Sequence, residues 1–292
     1  MRYSIGTTYE GKNLKYLQAI IPYVDHLEIS PDALAIRKNG HLSINPESLQ
    51  QLKWVQRETD IEILIHGVGL SIGSYDGYST EYLELLDELF SQLSSISWHS
   101  EHLAYTKVGG ENLGTMLALP RTEEVVEMIC RRVDKLQSRY KVPFLLENVI
   151  SMLPSPDSQY TDAAFLNEIT DRTGCKLILD VYNIECDEVN FCLQVEPFLQ
   201  ELNLSTVYEI HLAGGTSDEE FHFQMDIHSQ LVAESTFNLA RRILGANKTG
   251  VKAITFEILE EFIESHGSVA IINELNKLNY LFNGHEPANA AN

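Results

Sequence analysis

Histidines, carboxylates and one amide end or follow several short apolar runs of this chain. The runs include IEILIH (61–66), PFLLEN (143–148), KLILDV (176–181), VYEIHL (207–212) and AITFEI (253–258). Imidazole nitrogens and carboxylate oxygens are ligands of zinc, iron and manganese, and a carboxylate is costly to bury unless it is paired or bound to a metal. We therefore predict a metal site, with the candidate ligands His66, His102, Glu147, Asp180, Asn183, His211, Asp226, His228 and Glu257.

Each candidate ligand, taken alone, also has a structural explanation. A histidine at a strand end commonly forms ordinary hydrogen bonds, and a buried acid can pair with arginine or with a helix N-terminus. However, the chain has only 21 lysines and arginines, and almost none lies in these runs. The convergence of so many ligands without compensating cations favours metal binding, and we expect the catalytic residues to be His66, His102, Glu147, Asp180, His211 and Glu257.

Other polar residues of these segments are secondary candidates. Asp226 and His228 form a D-x-H pair in the predicted loop after the seventh strand. His99 lies two residues before Glu101 and is predicted to face away from the site. Glu101 either orients another side chain or is purely structural, and His222 either enters a substrate pocket or is solvated.

The elements that must position these residues alternate regularly along the chain. Eight runs are predicted to be β-strands, over residues 2–6, 26–30, 61–66, 95–100, 143–148, 176–181, 207–212 and 253–258. Helical patterns separate them, over residues 13–23, 45–57, 79–93, 121–140, 161–173, 195–202, 229–244 and 267–281. Eight such units predict an α/β fold, a (β/α)8 TIM barrel whose active site lies at the carboxyl ends of its strands. A doubly wound open sheet is the alternative, but it does not explain polar residues at so many strand ends.

Length, charge and cysteine usage limit the class of protein. The 292 residues suit one metalloenzyme domain over 1–284, followed by a small polar tail over 285–292 that is predicted to be disordered. The net charge of −21 argues against a nucleic-acid partner, because binding to phosphates needs a positive surface. No apolar stretch approaches the roughly 20 residues of a membrane span, and the N-terminus lacks the apolar core of a signal peptide. The four cysteines show no C-x-x-C spacing, so we expect reduced thiols in a cytoplasmic protein.

Several motifs together resemble one known family. They are HGVGLSIGS (66–74), SEHL (100–103), LALPRTEE (117–124), LLENV (145–149), LDVYN (179–183), EIHLAG (209–214) and the D-x-H pair. This combination is similar to the multinuclear non-haem iron-dependent oxidative enzymes, a family that includes the methanobactin-biosynthesis oxidases. The resemblance runs from about residue 4 to residue 257. A more distant similarity extends to xylose-isomerase-like barrels and to the trinuclear zinc endonucleases that act on abasic DNA.

The resemblance implies two or three iron ions in mixed Fe(II) and Fe(III) states. It implies O2 as co-substrate and a cysteine-containing, ribosomally made precursor peptide as substrate, in natural-product biosynthesis. A separate partner protein that binds the leader peptide is a further expectation. Carried over to this chain, the first iron would be held by His66, His102 and Glu147; the second by Glu147 as a bridge with Asp180, His211 and Glu257; and the third by Asn183, Asp226 and His228.

The chain departs from the family pattern at two places, and other functions remain open. Many members continue the last glutamate as Glu-Arg-Asp, where this chain has Glu257, Ile258 and Leu259, and many have a histidine where it has Gly215. The alternatives are a zinc-dependent phosphodiesterase or endonuclease, a sugar isomerase or epimerase, and a non-catalytic binding module stabilised by metal. No lysine is evident near the site for sugar isomerisation, and the charge argues against DNA.

Overall fold

The strands of a computed structural model form one barrel and three hairpins. The structure describes residues 2–153, 157–218, 220 and 222–284, so the predicted tail lies outside the described residues. In chain order the strands are β1 (Ser4–Tyr9), β2 (His26–Ile29), β3 (Ala35–Lys38), β4 (His41–Ile44), β5 (Glu62–Gly67), β6 (His99–His102), β7 (Ala104–Val108), β8 (Glu111–Ala118), β9 (Phe144–Glu147), β10 (Lys176–Asp180), β11 (Val207–Leu212), β12 (Gly214–Asp218), β13 (Phe223–Gln230) and β14 (Ala253–Phe256).

The helices pack around the outside of the barrel. They are α1 (Leu14–Ile20), α2 (Pro31–Leu34), α3 (Pro46–Glu58), α4 (Thr80–Gln92), α5 (Glu123–Tyr140), α6 (Asp162–Thr173), α7 (Val181–Phe191), α8 (Val195–Glu201), α9 (Glu234–Leu244), α10 (Glu260–His266) and α11 (Ser268–Asn283). Short 3-10 turns at Ile21–Tyr23 and Leu204–Thr206 precede β2 and β11. None of these helices is both long enough and apolar enough to cross a membrane.

The eight barrel strands close into one parallel sheet. Their order around the barrel is β1, β2, β5, β6, β9, β10, β11 and β14, and β14 pairs with β1 to complete the ring. The register of this closure pairs Ser4 with Ala253 and Thr7 with Phe256. The predicted (β/α)8 fold is therefore confirmed, and the open sheet is wrong.

Alternate residues of the barrel strands divide the interior into two layers. Leu64, Trp98, Leu145, Ile178 and Ala253 form a small apolar cluster, separate from the main core between the sheet and the helices. Side chains two positions further along a strand face the same side of the sheet, nearer its carboxyl end. Those positions hold polar side chains, namely His66, Ser100, Glu147, Asp180 and Thr255. The barrel therefore has an apolar lower layer and a polar layer above it.

Several predicted boundaries are wrong, each because a tertiary contact outweighs the local pattern. The fourth barrel strand was predicted over 95–100, but it is His99–His102, a run of four buried polar residues that no apolar signal marks. His102 is therefore the last residue of the strand rather than a residue beyond it. The helix predicted over 229–244 begins at Glu234, because Ser229 and Gln230 belong to β13.

Three two-stranded hairpins and helices α2, α7 and α10 were not predicted. The hairpins β3–β4, β7–β8 and β12–β13 interrupt the loops between barrel strands and helices. The D-x-H pair is predicted to lie in a loop, but it lies on β13, in the irregular stretch between Met225 and Gln230, which pair with Thr216 and Gly214 of β12. Helix α7 begins directly after β10, where the Asp180 side chain accepts a hydrogen bond from the backbone N–H of Asn183 at 2.6 Å.

Candidate metal centre

Glu147 lies at the centre of the polar layer. Its Oε2 is 2.9 Å from Nε2 of His66 and 2.9 Å from Nε2 of His102, on neighbouring strands β5 and β6. Its Oε1 lies 2.8 Å from Nδ1 of His211 on β11. The carboxylate is completely buried. One carboxylate thus contacts three imidazoles from three different strands.

A second group of ligand atoms shares this carboxylate. Nδ1 of His211 is also 2.9 Å from Oε2 of Glu257, which follows β14. The ligand atoms of Glu147, Asp180, His211 and Glu257 all lie within 4.8 Å of one another, and so do those of His66, His102 and Glu147. Glu147 belongs to both groups, so it is placed to bridge two ions.

The D-x-H pair of β13 extends the cluster at its outer edge. Nε2 of His228 lies 2.5 Å from Oδ1 of Asp226 and 3.7 Å from Oδ2 of Asp180, while its Nδ1 is 3.2 Å from Oε1 of Glu257. His228 has a φ of 42°, a backbone conformation that costs energy for a residue with a side chain. Asn183 is the third residue of α7, and its Nδ2 donates to the carbonyl of Asn148 at 3.2 Å.

The hydrogen bonding of these atoms tests whether a metal fits. Buried polar atoms in proteins are nearly always hydrogen-bonded. Here the ligand atoms lie within contact distance of one another, yet many of them lack a hydrogen bond to any described residue. Ligands at about 2.0–2.2 Å from one ion lie about 3 Å apart, which is close to the spacing observed. The orphaned atoms are Nε2 of His66, both carboxylate oxygens of Glu147, Oδ2 of Asp180, Oδ1 of Asn183, Nδ1 of His211, Oδ1 of Asp226, Nε2 of His228 and Oε2 of Glu257. The residues present therefore fit a multinuclear metal centre.

The electrostatics of the metal-free site depend on the same contacts. Burial alone would lower the pKa of His102, but the Glu147 carboxylate raises that pKa to about 9. Burial would raise the pKa of Glu147, but His102 and His66 hold it well below the usual range. Burial raises the pKa of Asp180 well above its usual range. A metal would take the place of the proton on His102, because a ligating histidine is neutral.

Two carboxylates beside the centre were missed in the sequence. Oε2 of Glu28, on β2, accepts a hydrogen bond from Nε2 of His211 at 3.1 Å. Glu209 accepts hydrogen bonds from Nε1 of Trp98 at 2.8 Å and from the hydroxyl of Thr255. A carboxylate accepts hydrogen bonds, so a neutral His211 that donates to Glu28 carries its proton on Nε2 and has Nδ1 as its metal-facing atom. The sequence does contain one indication of Glu209: it precedes His211 by two residues on the same strand, so both side chains face the same side of the sheet.

The other two imidazoles that contact Glu147 also form a hydrogen bond on the side of the ring that faces away from it. Nδ1 of His66 lies 2.9 Å from the hydroxyl of Ser100, and Nδ1 of His102 lies 2.9 Å from the carbonyl oxygen of Gly67. Both contacts leave Nε2 directed at Glu147. Hydrogen bonds of this kind fix the tautomer and the ring plane of histidine ligands in metalloproteins.

The other histidines singled out lie away from the centre. His99 pairs through Nε2 with Glu101 at 2.9 Å and packs against the rings of Tyr140 and Phe144, outside the barrel. His99 therefore faces away from the site, and Glu101 is a structural carboxylate. His222 is exposed.

An open cavity of about 220 Å³ leads to the cluster. Its walls come from the loops after β1, β2 and β5, and its floor includes His66, His102 and Glu257. Glu10, Glu28 and Asp32 also line it, so the entrance is acidic. A cavity of this size accommodates a side chain with some backbone rather than a folded domain.

The fold resembles those of several solved structures. A xylose isomerase domain containing protein from Salmonella typhimurium LT2 aligns with a TM-score of 0.65 at 14% identity, over 97% of this chain and 99% of that one. D-psicose 3-epimerase from Clostridium cellulolyticum H10 aligns with a TM-score of 0.57 at 12% identity, over 96% and 99% of the two chains. At such identities the likeness concerns the fold alone.

Similarity in sequence is more specific. A UPF0276 protein of Vibrio vulnificus strain YJ016 is 34% identical over 224 residues, which cover 75% of this chain and 76% of that protein. A UPF0276 protein of an Anaeromyxobacter species is 31% identical over 219 residues, covering 74% and 76%. Residues 4–278 match the family described as RiPP precursor modification enzyme MbnB/TglH/ChrH, where a RiPP is a ribosomally synthesised and post-translationally modified peptide. The barrel and its buried cluster of histidines and carboxylates are consistent with this match. The chain belongs to the MbnB/TglH/ChrH family of RiPP precursor modification enzymes.

Proposed function

We propose that this protein is a multinuclear iron enzyme that uses O2 to modify cysteine residues of a ribosomally made precursor peptide. The observation that supports the proposal most directly is the shared carboxylate of Glu147, which lies within 2.9 Å of His66, His102 and His211. A bridging carboxylate between two imidazole-bearing groups is suited to two neighbouring ions. Membership of the family makes a peptide the expected substrate.

In this proposal three sets of ligands hold the ions. His66, His102 and Glu147 form the first set; Glu147, Asp180, His211 and Glu257 form the second; and Asn183, Asp226 and His228 form the third. Mixed nitrogen and oxygen ligands also suit zinc and manganese, so iron is proposed from the family rather than from the ligand types. Bound iron in mixed Fe(II) and Fe(III) states would supply the one-electron chemistry and the O2 reactivity.

The surroundings of the cluster favour a thiol-bearing peptide over a phosphate ester. The entrance is lined by Glu10, Glu28 and Asp32 and carries no lysine or arginine among the residues that line it. These carboxylates disfavour a phosphodiester more than a neutral cysteine residue, even though Lys12 pairs with Glu10. The size of the cavity requires an extended peptide or a chain end. The protein's residues would orient this peptide and exclude water from the reacting side chain.

The proposal includes a cytoplasmic location, where the four unpaired cysteines of the chain would stay reduced. It also includes a separate partner protein that binds the leader of the precursor peptide. Neither nucleic acid nor membrane is a proposed partner.

Oxygen uptake and metal analysis test the proposal together. Protein reconstituted with ferrous iron under anaerobic conditions should retain at least two iron ions per chain after gel filtration, because the number of ligands exceeds what one ion can use. On exposure to air, it should consume O2 faster with a cysteine-containing peptide than with the same peptide carrying serine. One bound ion or fewer, or equal O2 uptake with both peptides, would contradict the proposal. Turnover of a phosphodiester or a ketose by the zinc-loaded protein would favour the alternatives.

A further inference from the structure

A groove beside the metal centre has the properties of a peptide-binding surface. We infer that it binds an extended segment of the precursor peptide that carries acidic and apolar side chains and lies outside the modified residue. The inference rests on the proposed function, since it names a second part of the same substrate. We call this feature the α5 groove. Its lining residues are Gly73, Tyr75, Tyr105, Val108, Leu119, Pro120, Glu124, Val125, Met128, Arg131, Arg132 and Lys135.

The α5 groove is larger than the entrance to the metal centre. Its volume is about 710 Å³, against about 220 Å³ for the entrance. Its walls are the loop after β5, the hairpin β7–β8 and one face of α5. Affinity for a flexible peptide must offset the ordering of that peptide, which requires more contact than one or two residues can make. The entrance alone is too small for this, so recognition needs an additional surface.

The charge of the groove is opposite to that of the protein. Arg131, Arg132 and Lys135 lie within one and a half turns of α5, and Glu124 is the acidic residue that lines the groove with them. The chain as a whole has a net charge of −21. Arg131 and Lys135 are exposed, and the contact of Arg131 with Glu127 is a loose surface pair at 3.6 Å. These two cations are therefore available to an acidic partner, which the remaining surface would repel.

Exposed apolar side chains complete the surface. Tyr75 is 86% exposed and Val108 is 53% exposed, so both side chains are available for apolar contacts with a bound peptide. Strand β7 of the neighbouring hairpin contributes Tyr105 and Val108 to the wall. The groove thus offers cationic and apolar contacts that suit an extended segment.

The groove is connected to the metal ligands by short pieces of chain. Tyr105 follows His102 by three residues, so their Cα atoms are at most about 11 Å apart. The loop that carries Gly73 begins after His66, and the N–H of Gly73 donates to the carbonyl of Ala104 at 2.8 Å. A peptide held in the groove could therefore reach the entrance with a few extended residues.

Charge reversal on α5, measured on metal-free full-length protein, tests the inference without involving iron or O2. The probe is a short fluorescein-labelled peptide of alternating glutamate and leucine, and binding is followed by fluorescence anisotropy. The double variant R131E/K135E should weaken binding about tenfold, and added salt should weaken binding to the native protein. The matched control is K53E/R57E, because Lys53 and Arg57 are exposed, four residues apart on α3 and next to a separate cavity of about 670 Å³.

The outcomes separate this inference from the proposed function. Selective weakening by R131E/K135E, together with weaker binding of a lysine–leucine peptide, would support the groove. Equal weakening by the control pair would show unspecific attraction and overturn the inference, as would equal binding of an oligoglutamate without leucine. Tyr75→Ala provides a second check, because loss of the tyrosine ring should weaken binding of the probe without changing the charge of the protein. If the protein binds the probe but shows no iron-dependent O2 uptake, the inference about the groove is supported and the proposed function is contradicted.

Discussion

Oε2 of Glu28 lies 3.1 Å from Nε2 of His211, although the two residues are 183 positions apart in the chain. The hydrogen bond leaves Nδ1 of His211 facing Glu147 and Glu257, at 2.8 and 2.9 Å. One buried carboxylate on β2 therefore decides which nitrogen of a histidine on β11 is available to a metal. This role differs from that of the ligands themselves, and it can be tested separately.

Glu28→Gln should weaken metal binding while leaving every ligand in place. The substitution preserves shape but removes the charge that orients His211, and loss of such a partner typically lowers metal affinity by about 10- to 100-fold. A competitive titration of ferrous iron against a chelator measures the effect. Glu274→Gln is the control, because Glu274 is a buried carboxylate that accepts the backbone N–H of Val232 rather than contacting a candidate ligand. Equal iron affinities in the two variants would exclude an orienting role for Glu28.

Glu147→Gln should reduce iron binding more than Asn183→Ala does. Glu147 contacts three histidines, so its loss removes a ligand from two ions and leaves those histidines without their common partner. Asn183 contributes one neutral oxygen to the third set. Elemental analysis after anaerobic reconstitution should find most of the iron lost from Glu147→Gln and most of it kept by Asn183→Ala. The reverse order would show that the ligands have been assigned wrongly.

The ion held by the third set should leave first. Asp226 and His228 lie on a hairpin outside the barrel sheet, whereas the other sets come from the barrel strands and their ends. Elements with fewer buried contacts open more readily. Brief treatment with a chelator should remove about a third of the iron from the native protein and little from Asp226→Asn, which would already lack it. Met225→Leu, a change at the neighbouring exposed position, should behave like the native protein. Uniform loss from all sets would contradict this order.

Acid should destabilise the metal-free protein partly through His26. Burial lowers the pKa of this histidine to about 4, and the ring is held between the hydroxyls of Ser4 and Thr255 at 2.9 Å each. As the pH falls through about 6.5, the unfolded chain takes up a proton that the folded protein refuses until about pH 4, so stability is lost in that window.

Urea denaturation at two pH values measures this contribution. Between about pH 7 and about pH 4.5, the free energy of unfolding of His26→Gln should fall by about 2 kcal/mol less than that of the native protein. The fall will not vanish, because burial also lowers the pKa of His99, to about 3. An identical fall in both proteins would mean that His26 is protonated in the folded state.

Much of the barrel and its ligand set follows from local sequence pattern. Apolar runs such as Leu177–Leu179 mark strands that are buried on both faces, and a polar residue at the end of such a run lies at the carboxyl edge of the barrel. Glu147, Asp180 and His211 could be identified in this way because closure of a parallel barrel brings all its strand ends together. A correct count of the barrel strands was therefore enough to predict that these residues lie close together.

The tertiary structure decided the rest. Strand β6 consists of His99, Ser100, Glu101 and His102. These residues are buried because they form polar contacts, such as that of Ser100 with the carbonyl of Ile65, and not because they are hydrophobic. Glu28 resembles any polar residue of a short strand until β2 is placed beside β1 and across the barrel from β11. The α5 groove combines a loop, a hairpin and a helix that are separated by tens of residues. Hydrophobic periodicity indicates which face of a single element is buried. Strand register determines which polar groups meet inside the barrel, and register is not encoded by any single segment.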